Sequence, residues 1–224
     1  MFVAALDVLY EDNHLLAVNK PVGMVTQGAA AGQASLLELA RQYIKRKYHK
    51  PGNVYLGTVS RIDAAVSGVV VFARTSKAAA RLAEQFRAHT VGKLYWAVVS
   101  GQPAESETCV DWLVKDESRH RMTVADAQTA GAQLARLSYL RRRPLAGGWL
   151  LEIELETGRK HQIRAQLAGR GLPIIGDDKY GSRQAFAAGI ALHSRRLELR
   201  HPTRPETMTL IAPLPPSWRR FGLS

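Results

Sequence analysis

The sequence has a single cysteine, Cys109, in 224 residues. One thiol closes no intrachain disulfide and excludes a metal site built from cysteines alone. Long apolar runs are also missing. The longest are of the type Ser67–Ala73 (SGVVVFA), far short of the roughly 20 residues of a membrane-spanning helix. The opening, MFVAALDVLYEDNH, has no basic segment before its apolar residues, and acid enters by Asp7. No leader is read there, and a soluble, cytoplasmic protein is expected. Several chemical signatures are absent as well: no G-x-x-x-x-G-K-[ST] phosphate loop, no G-x-G-x-x-G, no H-E-x-x-H and no G-x-S-x-G. Nucleotide hydrolysis, dinucleotide redox chemistry, zinc hydrolysis and serine esterase chemistry lose their usual markers.

Acid is the scarcer charge. Lys and Arg number 31 against 19 Asp and Glu, a formal charge of +12. Such an excess on a folded chain is the footprint of a protein that meets a polyanion. Nucleic acid is favoured over an anionic membrane, because no basic amphipathic helix stands out. The run Lys45 to Lys50 and the arginines Arg141, Arg142 and Arg143 are candidate contacts, with a merely solvated face as the plain alternative for each. The hydrophobic fraction of 46% and charged fraction of 22% are those of a folded domain. Neither an internal repeat nor a linker is found, so residues 1–224 are read as a single domain.

The pattern along the chain predicts an α+β fold. A hairpin is read over 6–19, closed by Lys20-Pro21-Val22-Gly23, since proline lacks a ladder donor. Ser35 and Glu38 form a capping box ahead of a helix that ends in the basic run before Pro51-Gly52. Strands are predicted over 54–59 and 69–73, with a loop at 60–67 between them. Thr75 or Ser76 caps a second helix, and a strand follows over 93–100. Stretches 109–114, 121–124, 133–140 and 149–156 alternate like strands. A third helix opens near 159–161 and stops at Gly169-Arg170-Gly171. Short strands close the chain at 191–193, 197–200 and 207–211. So many successive strands with few helices imply a mixed, mainly antiparallel central sheet with flanking helices and loops.

Three clusters carry chemistry. In Ser60-Arg61-Ile62-Asp63, an acid stands among apolar residues just before a buried strand. It is either a turn aspartate or a functional carboxylate that needs a cation partner. In Lys93-Leu94-Tyr95-Trp96, strand alternation places Lys93 and Tyr95 on one face and Leu94 and Trp96 on the other. Tyr95 then either packs across strands or stacks a nucleobase. In Thr157-Gly158-Arg159-Lys160-His161-Gln162-Ile163-Arg164, cations crowd the start of a helix, where the dipole disfavours them unless an anion is near. His161 and Arg164, three apart, share a face. A solvated basic turn is the alternative there. From these residues alone the reading stops at an RNA-acting protein, catalytic or not.

Together these motifs resemble the RluA-type pseudouridine synthases, over most of the chain from about Leu9 to Pro215. Tyr10-Glu11-Asp12 and Asn19-Lys20-Pro21-Val22-Gly23 are similar to the family's opening motif. Arg61-Ile62-Asp63 with Ser67-Gly68 resembles its loop H-R-L-D-x-x-T-S-G, and Lys93-Leu94-Tyr95 its K-x-Y. Residues 157–164 match T-G-R-x-H-Q-I-R, followed by Pro173, Gly176-Asp177 and Tyr180-Gly181. Leu192-His193, His201-Pro202 and Ala212-Pro213-Leu214-Pro215 resemble its tail.

The resemblance implies isomerisation of a uridine to pseudouridine in structured RNA, ribosomal or transfer. Asp63 would act at the ribose, by attack on C1′ or by taking a ribose proton. Tyr95 would stack on the flipped base and assist loss of the C5 proton. Arg164 would pair with Asp63, and Arg61 would contact RNA and hold the base out. Lys20, Lys93, Arg159, Lys160, His161 and Gln162 are the further candidate substrate contacts. No metal, cofactor, membrane or obligate protein partner is implied, and a monomer is expected. With the opening motif beginning by Leu9, no separate N-terminal RNA-binding module is expected.

The sequence departs from the family pattern at Ser60 (usually His), at Ala64-Ala65-Val66 (usually polar, ending in Thr) and at Gln166 (commonly His). Loss of hydrogen-bonding groups at 60 and 66 is expected to alter substrate choice or efficiency. It also keeps a second reading open, a non-catalytic RNA-binding or assembly protein on the same fold.

Overall fold

A computed structural model describes residues 6–30 and 32–223. Residues 1–5 of the opening read for a leader lie outside the described residues. The chain divides into two compact units, one formed by residues 1–91 and 194–213, the other by 92–193 and 214–224.

In the first unit, β1 (Val8–Glu11) and β2 (Leu15–Lys20) form the expected antiparallel hairpin. Asp12 closes its turn by accepting the amides of His14 and Leu15, each at 2.7 Å. Helix α1 (Leu36–Lys47) starts at Ser35 with both halves of the capping box in place, an arrangement worth about 1 kcal/mol. Its buried stripe is Leu36, Ala40 and Ile44. These pack with Leu16, Val18, Leu56, Val70 and Phe72, and Met24, Val54 and Ile62 join from the edge. Each fully buried Leu or Ile contributes about 1.5–3 kcal/mol of transfer free energy.

Of the strand expected at 54–59, only β3 (Gly57–Thr58) forms, opposite Ala73 and Phe72 of β4 (Ser67–Ala73). In this register residues 54–56 run past the end of β4, and beyond Thr58 the edge is taken by β10 (Leu192–Arg200), β4 lying between β2 and β10. Gly68 permits this approach. Its φ is +119°, and a Cβ there would stand 2.2 Å from the Ser194 carbonyl oxygen. Helix α2 (Ser76–Arg87), capped by Thr75, covers the other side through Ala78 and Leu82. β11 (Thr207–Ile211) pairs with β10. The two closing strands read at 191–193 and 197–200 are one strand. Ser194-Arg195-Arg196 joins them, because ladder bonds use backbone groups and tolerate polar side chains.

The second unit orders its strands β5-β9-β8-β6-β7, from β5 (Gly92–Val99), β6 (Ser106–Asp116), β7 (Arg121–Ala125), β8 (Gln133–Leu145) and β9 (Gly148–Leu155). All four pairings are antiparallel. Helix α3 (Gln162–Gly169) buries six consecutive residues, Gln162 to Leu167. Strand-rich, mainly antiparallel sheet with few helices is the expected α+β class.

Candidate active site

The 60–66 segment belongs to the first unit and is held from several sides. Ser60 Oγ accepts the Val71 amide at 3.2 Å, so the residue that replaces the family histidine still makes a hydrogen bond. The Asp63 carbonyl accepts the Val66 amide at 3.0 Å, closing a four-residue turn, and the Val66 side chain is buried. Ile62 packs into the cluster beneath α1, while Thr26 Oγ1 donates to its carbonyl at 3.2 Å. The Gly23 amide reaches the Ala64 carbonyl at 2.8 Å. The segment's apolar residues are thus anchors, and Arg61 is left exposed to solvent.

Lys20 is the least expected element. Its side chain is wholly buried, and its ammonium donates to the carbonyls of Met24 at 2.8 Å, Pro21 at 2.9 Å and Ala64 at 3.3 Å. Burial pushes its pKa down to about 8, with the Asp63 carboxylate pulling the other way. The lysine read as an RNA contact therefore faces carbonyls and lies within the field of Asp63.

In the second unit, β5 buries Leu94 as expected, but Trp96, read on the same face, is no more buried than Tyr95. Tyr95 is half-buried opposite Ile153 of β9. Trp96 is half-buried and donates its indole N–H to Glu152 at 3.2 Å. Lys93 bonds the Glu156 carbonyl at 2.7 Å. Burial lowers its pKa, and the charge of Glu156 opposes that.

The turn into α3 is organised by Gln162, which is buried. Its Oε1 accepts from Thr157 Oγ1 at 2.8 Å and from the Arg159 amide at 2.9 Å, and its Nε2 donates to the Arg136 carbonyl at 3.0 Å. Arg159 Nε donates to the Leu134 carbonyl at 3.0 Å, whereas Lys160 is exposed. His161 precedes the helix at φ 50°, without a side-chain capping bond, and its Nδ1 lies 2.9 Å from the Tyr180 hydroxyl. Arg164, on the same helical face, lies over the Tyr180 ring at 4.8 Å. The anion demanded by a cation in the first helical turn is Asp177. Its two oxygens take Arg164 Nε at 2.7 Å and Nη2 at 2.8 Å. Both side chains are buried.

Asp177 and Tyr180 were noted in the sequence only as residues following the motif. The signal available was an acid within reach of a cation-rich helix start. Gln166, in place of a common histidine, is buried and donates to Asp111 at 2.7 Å, bonding α3 to β6. Burial pushes the Cys109 thiol up to about 12, far from thiolate chemistry. Among the described residues, no group of three or more His, Cys, Asp or Glu could hold a metal.

The profile of the RNA pseudouridylate synthases matches residues 14–169. Ribosomal large subunit pseudouridine synthase D of Zymomonas mobilis is 35% identical, over 94% of this chain and 69% of its own length. tRNA pseudouridine synthase C of Haemophilus ducreyi is 30% identical, over 96% of this chain and 93% of its own. Among solved structures, human RNA pseudouridylate synthase domain containing 4 superposes with a TM-score of 0.80 at 25% identity, covering 97% of this chain and 94% of that one. The chain belongs to the RNA pseudouridylate synthase family, isomerases that convert uridine in RNA to pseudouridine.

Proposed function

We propose that the protein isomerises a uridine in ribosomal or transfer RNA, with the two units working as one catalytic domain. The family match, which runs from residue 14 to 169 and so draws on both units, supports that reading. The relatives are named for ribosomal and transfer RNA. Phosphate contacts carry no sequence information, so the +12 charge suits either. No described helix is long and apolar enough to cross a membrane; we propose a cytoplasmic monomer.

Asp63 is the proposed catalytic carboxylate, acting at the ribose by attack on C1′ or by proton removal. Uracil then detaches, rotates and rejoins through C5, and the C5 proton leaves with the help of Tyr95, on which the base stacks. Arg164 is the proposed partner of Asp63. A guanidinium carries five N–H donors in a planar fork, so donors outside the Asp177 pair remain to serve a second carboxylate. Arg61, exposed on the loop, would contact RNA and offset the few kcal/mol needed to extrude a base. Lys20 and Gln162 act through the backbone they hold, whereas Lys93, Arg159, Lys160 and His161 remain proposed substrate contacts.

The observation that carries this reading is the construction around Asp63. A turn anchored at Ser60, Ile62, Ala64 and Val66 sets one carboxylate beside a buried lysine. Asp63→Asn keeps the size and removes the charge. Tritium release from C5-labelled uridine, in RNA from cells lacking the protein, is expected to vanish while RNA binding and folding persist. Pseudouridine formation at a substantial fraction of the wild-type rate would overturn the assignment.

A further inference from the structure

The second half of α1 and the loop after it enclose an open groove of about 560 Å³, lined by Arg41, Gln42, Lys45, Asn53, Val54 and Tyr55 among others. Its volume lies within the roughly 300–1,000 Å³ of small-ligand sites. Arg41 and Lys45, four apart, project from one helical face. Both are exposed, and neither has an ion-pair partner among the described residues. Of the nearby acids, Glu38 holds the helix cap and also lies in the field of Arg41, whereas Glu11 is engaged elsewhere. Glu38 accepts the Ser35 amide at 2.7 Å and its hydroxyl at 3.0 Å. Glu11 takes Lys47 at 2.7 Å, Tyr43 at 2.8 Å, Tyr48 at 2.6 Å and Arg74 at 2.9 Å.

Opposite the cations stands Tyr55, 52% exposed. Its hydroxyl has no hydrogen-bond partner among the described residues. The ring lies against Gly57 and leaves about half of the side chain open to the groove. The groove also has a fixed relation to the catalytic loop. Val54, in its wall, and Ile62, the neighbour of Asp63, pack onto the same cluster beneath α1.

Exposed cations outside any ion pair, beside an exposed ring, match what an unpaired nucleic-acid strand requires, with cations for its phosphates and a π-face for a base. We propose that this groove binds an unpaired stretch of the substrate RNA flanking the target uridine, Arg41 and Lys45 taking phosphates and Tyr55 stacking a base. The proposal rests on the RNA-isomerase reading and divides the basic run: Lys45 serves RNA, while Lys47 is committed to Glu11.

Fluorescence anisotropy with a labelled oligouridylate of about 12 nucleotides tests the groove without requiring turnover. Its outcome therefore stands even if Asp63 proves not to be catalytic. Replacing both cations (Arg41→Gln with Lys45→Gln) is expected to weaken binding about tenfold at moderate salt. The log–log salt slope should fall by about 1.4, or 0.7 per lost single-strand phosphate contact. Tyr55→Ala is expected to weaken binding about fivefold or more with the slope unchanged, and Tyr55→Phe, which keeps the ring, to bind as wild type. Lys77→Gln, on exposed α2 surface, should change neither quantity. With substrate RNA the same variants should raise KM and spare kcat at saturation. Unchanged affinity in the double and Tyr55→Ala variants would overturn the proposal. So would an equal loss from Lys77→Gln, which would make the attraction diffuse charge.

Discussion

Arg164 and Asp177 form a buried, two-point ion pair, with Nε on one carboxylate oxygen at 2.7 Å and Nη2 on the other at 2.8 Å. The Tyr180 ring lies against the guanidinium at 4.8 Å, leaving it little freedom to turn. The pair places a fixed cation in the first turn of α3, where the helix dipole alone would oppose it. Removing one partner leaves the other charged and buried. Asp177→Ala is therefore expected to destabilise the fold by about 3–5 kcal/mol, read from denaturant unfolding.

Arg164→Lys separates charge from shape. Lysine keeps the positive charge but cannot offer two parallel N–H groups to one carboxylate. Turnover is expected to drop sharply while RNA binding changes little, as measured by single-turnover tritium release beside a binding isotherm. Activity equal to wild type would remove the fork from the mechanism.

Lys20 gives a pH signature. In the unfolded chain it titrates near 10.5, and burial in the fold lowers that to about 8. Below about 8 it is protonated in both states, and the fold carries the full cost of a buried cation, about 3 kcal/mol at 1.36 kcal/mol per unit. Between about 8 and 10.5 only the unfolded chain holds the proton, so this group makes stability rise with pH across that window. The stability difference between wild type and Lys20→Met should therefore shift toward wild type by about that amount from pH 7 to pH 11. A difference that stays constant over the range would contradict the depressed pKa.

Gly68→Ala tests the close approach of β4 and β10. Its Cβ would meet the Ser194 carbonyl oxygen at 2.2 Å, at a φ of +119° that other residues rarely adopt. Backbone strain and overpacking together are expected to cost about 2 kcal/mol or more, seen as a lowered Tm.

The charge excess has its own test. Neutralising several phosphates releases counterions, so RNA affinity is expected to fall at least about tenfold between 50 and 200 mM salt. An affinity flat over that range would separate the +12 charge from RNA binding.

Local chemistry made much of this legible from sequence. The Ser35–Glu38 capping box, the Thr75 cap, the hairpin read over 6–19 and the strands read at 109–114, 121–124, 133–140 and 149–156 depend on neighbours a few residues apart; all of them form, with β6 and β8 extending several residues past the expected ends. The motif residues Asp63, Tyr95 and Arg164 were identifiable by family resemblance. What sequence could not supply depends on distant partners. Residues 54–59 have strand character, but only two of them pair: 54–56 run past Ala73, where β4 ends, and beyond Thr58 the β4 edge goes to β10. Lys20 is as basic as any lysine by sequence; only the carbonyls of Pro21, Met24 and Ala64 make it a buried tie. Lys45 and Lys47 are close in one basic run, yet only Lys47 reaches Glu11 and forms an ion pair. Asp177 became the partner of Arg164 only when the chain between them folded back. Capping and alternation are short-range and written residue by residue, whereas burial and charge pairing belong to the packed chain.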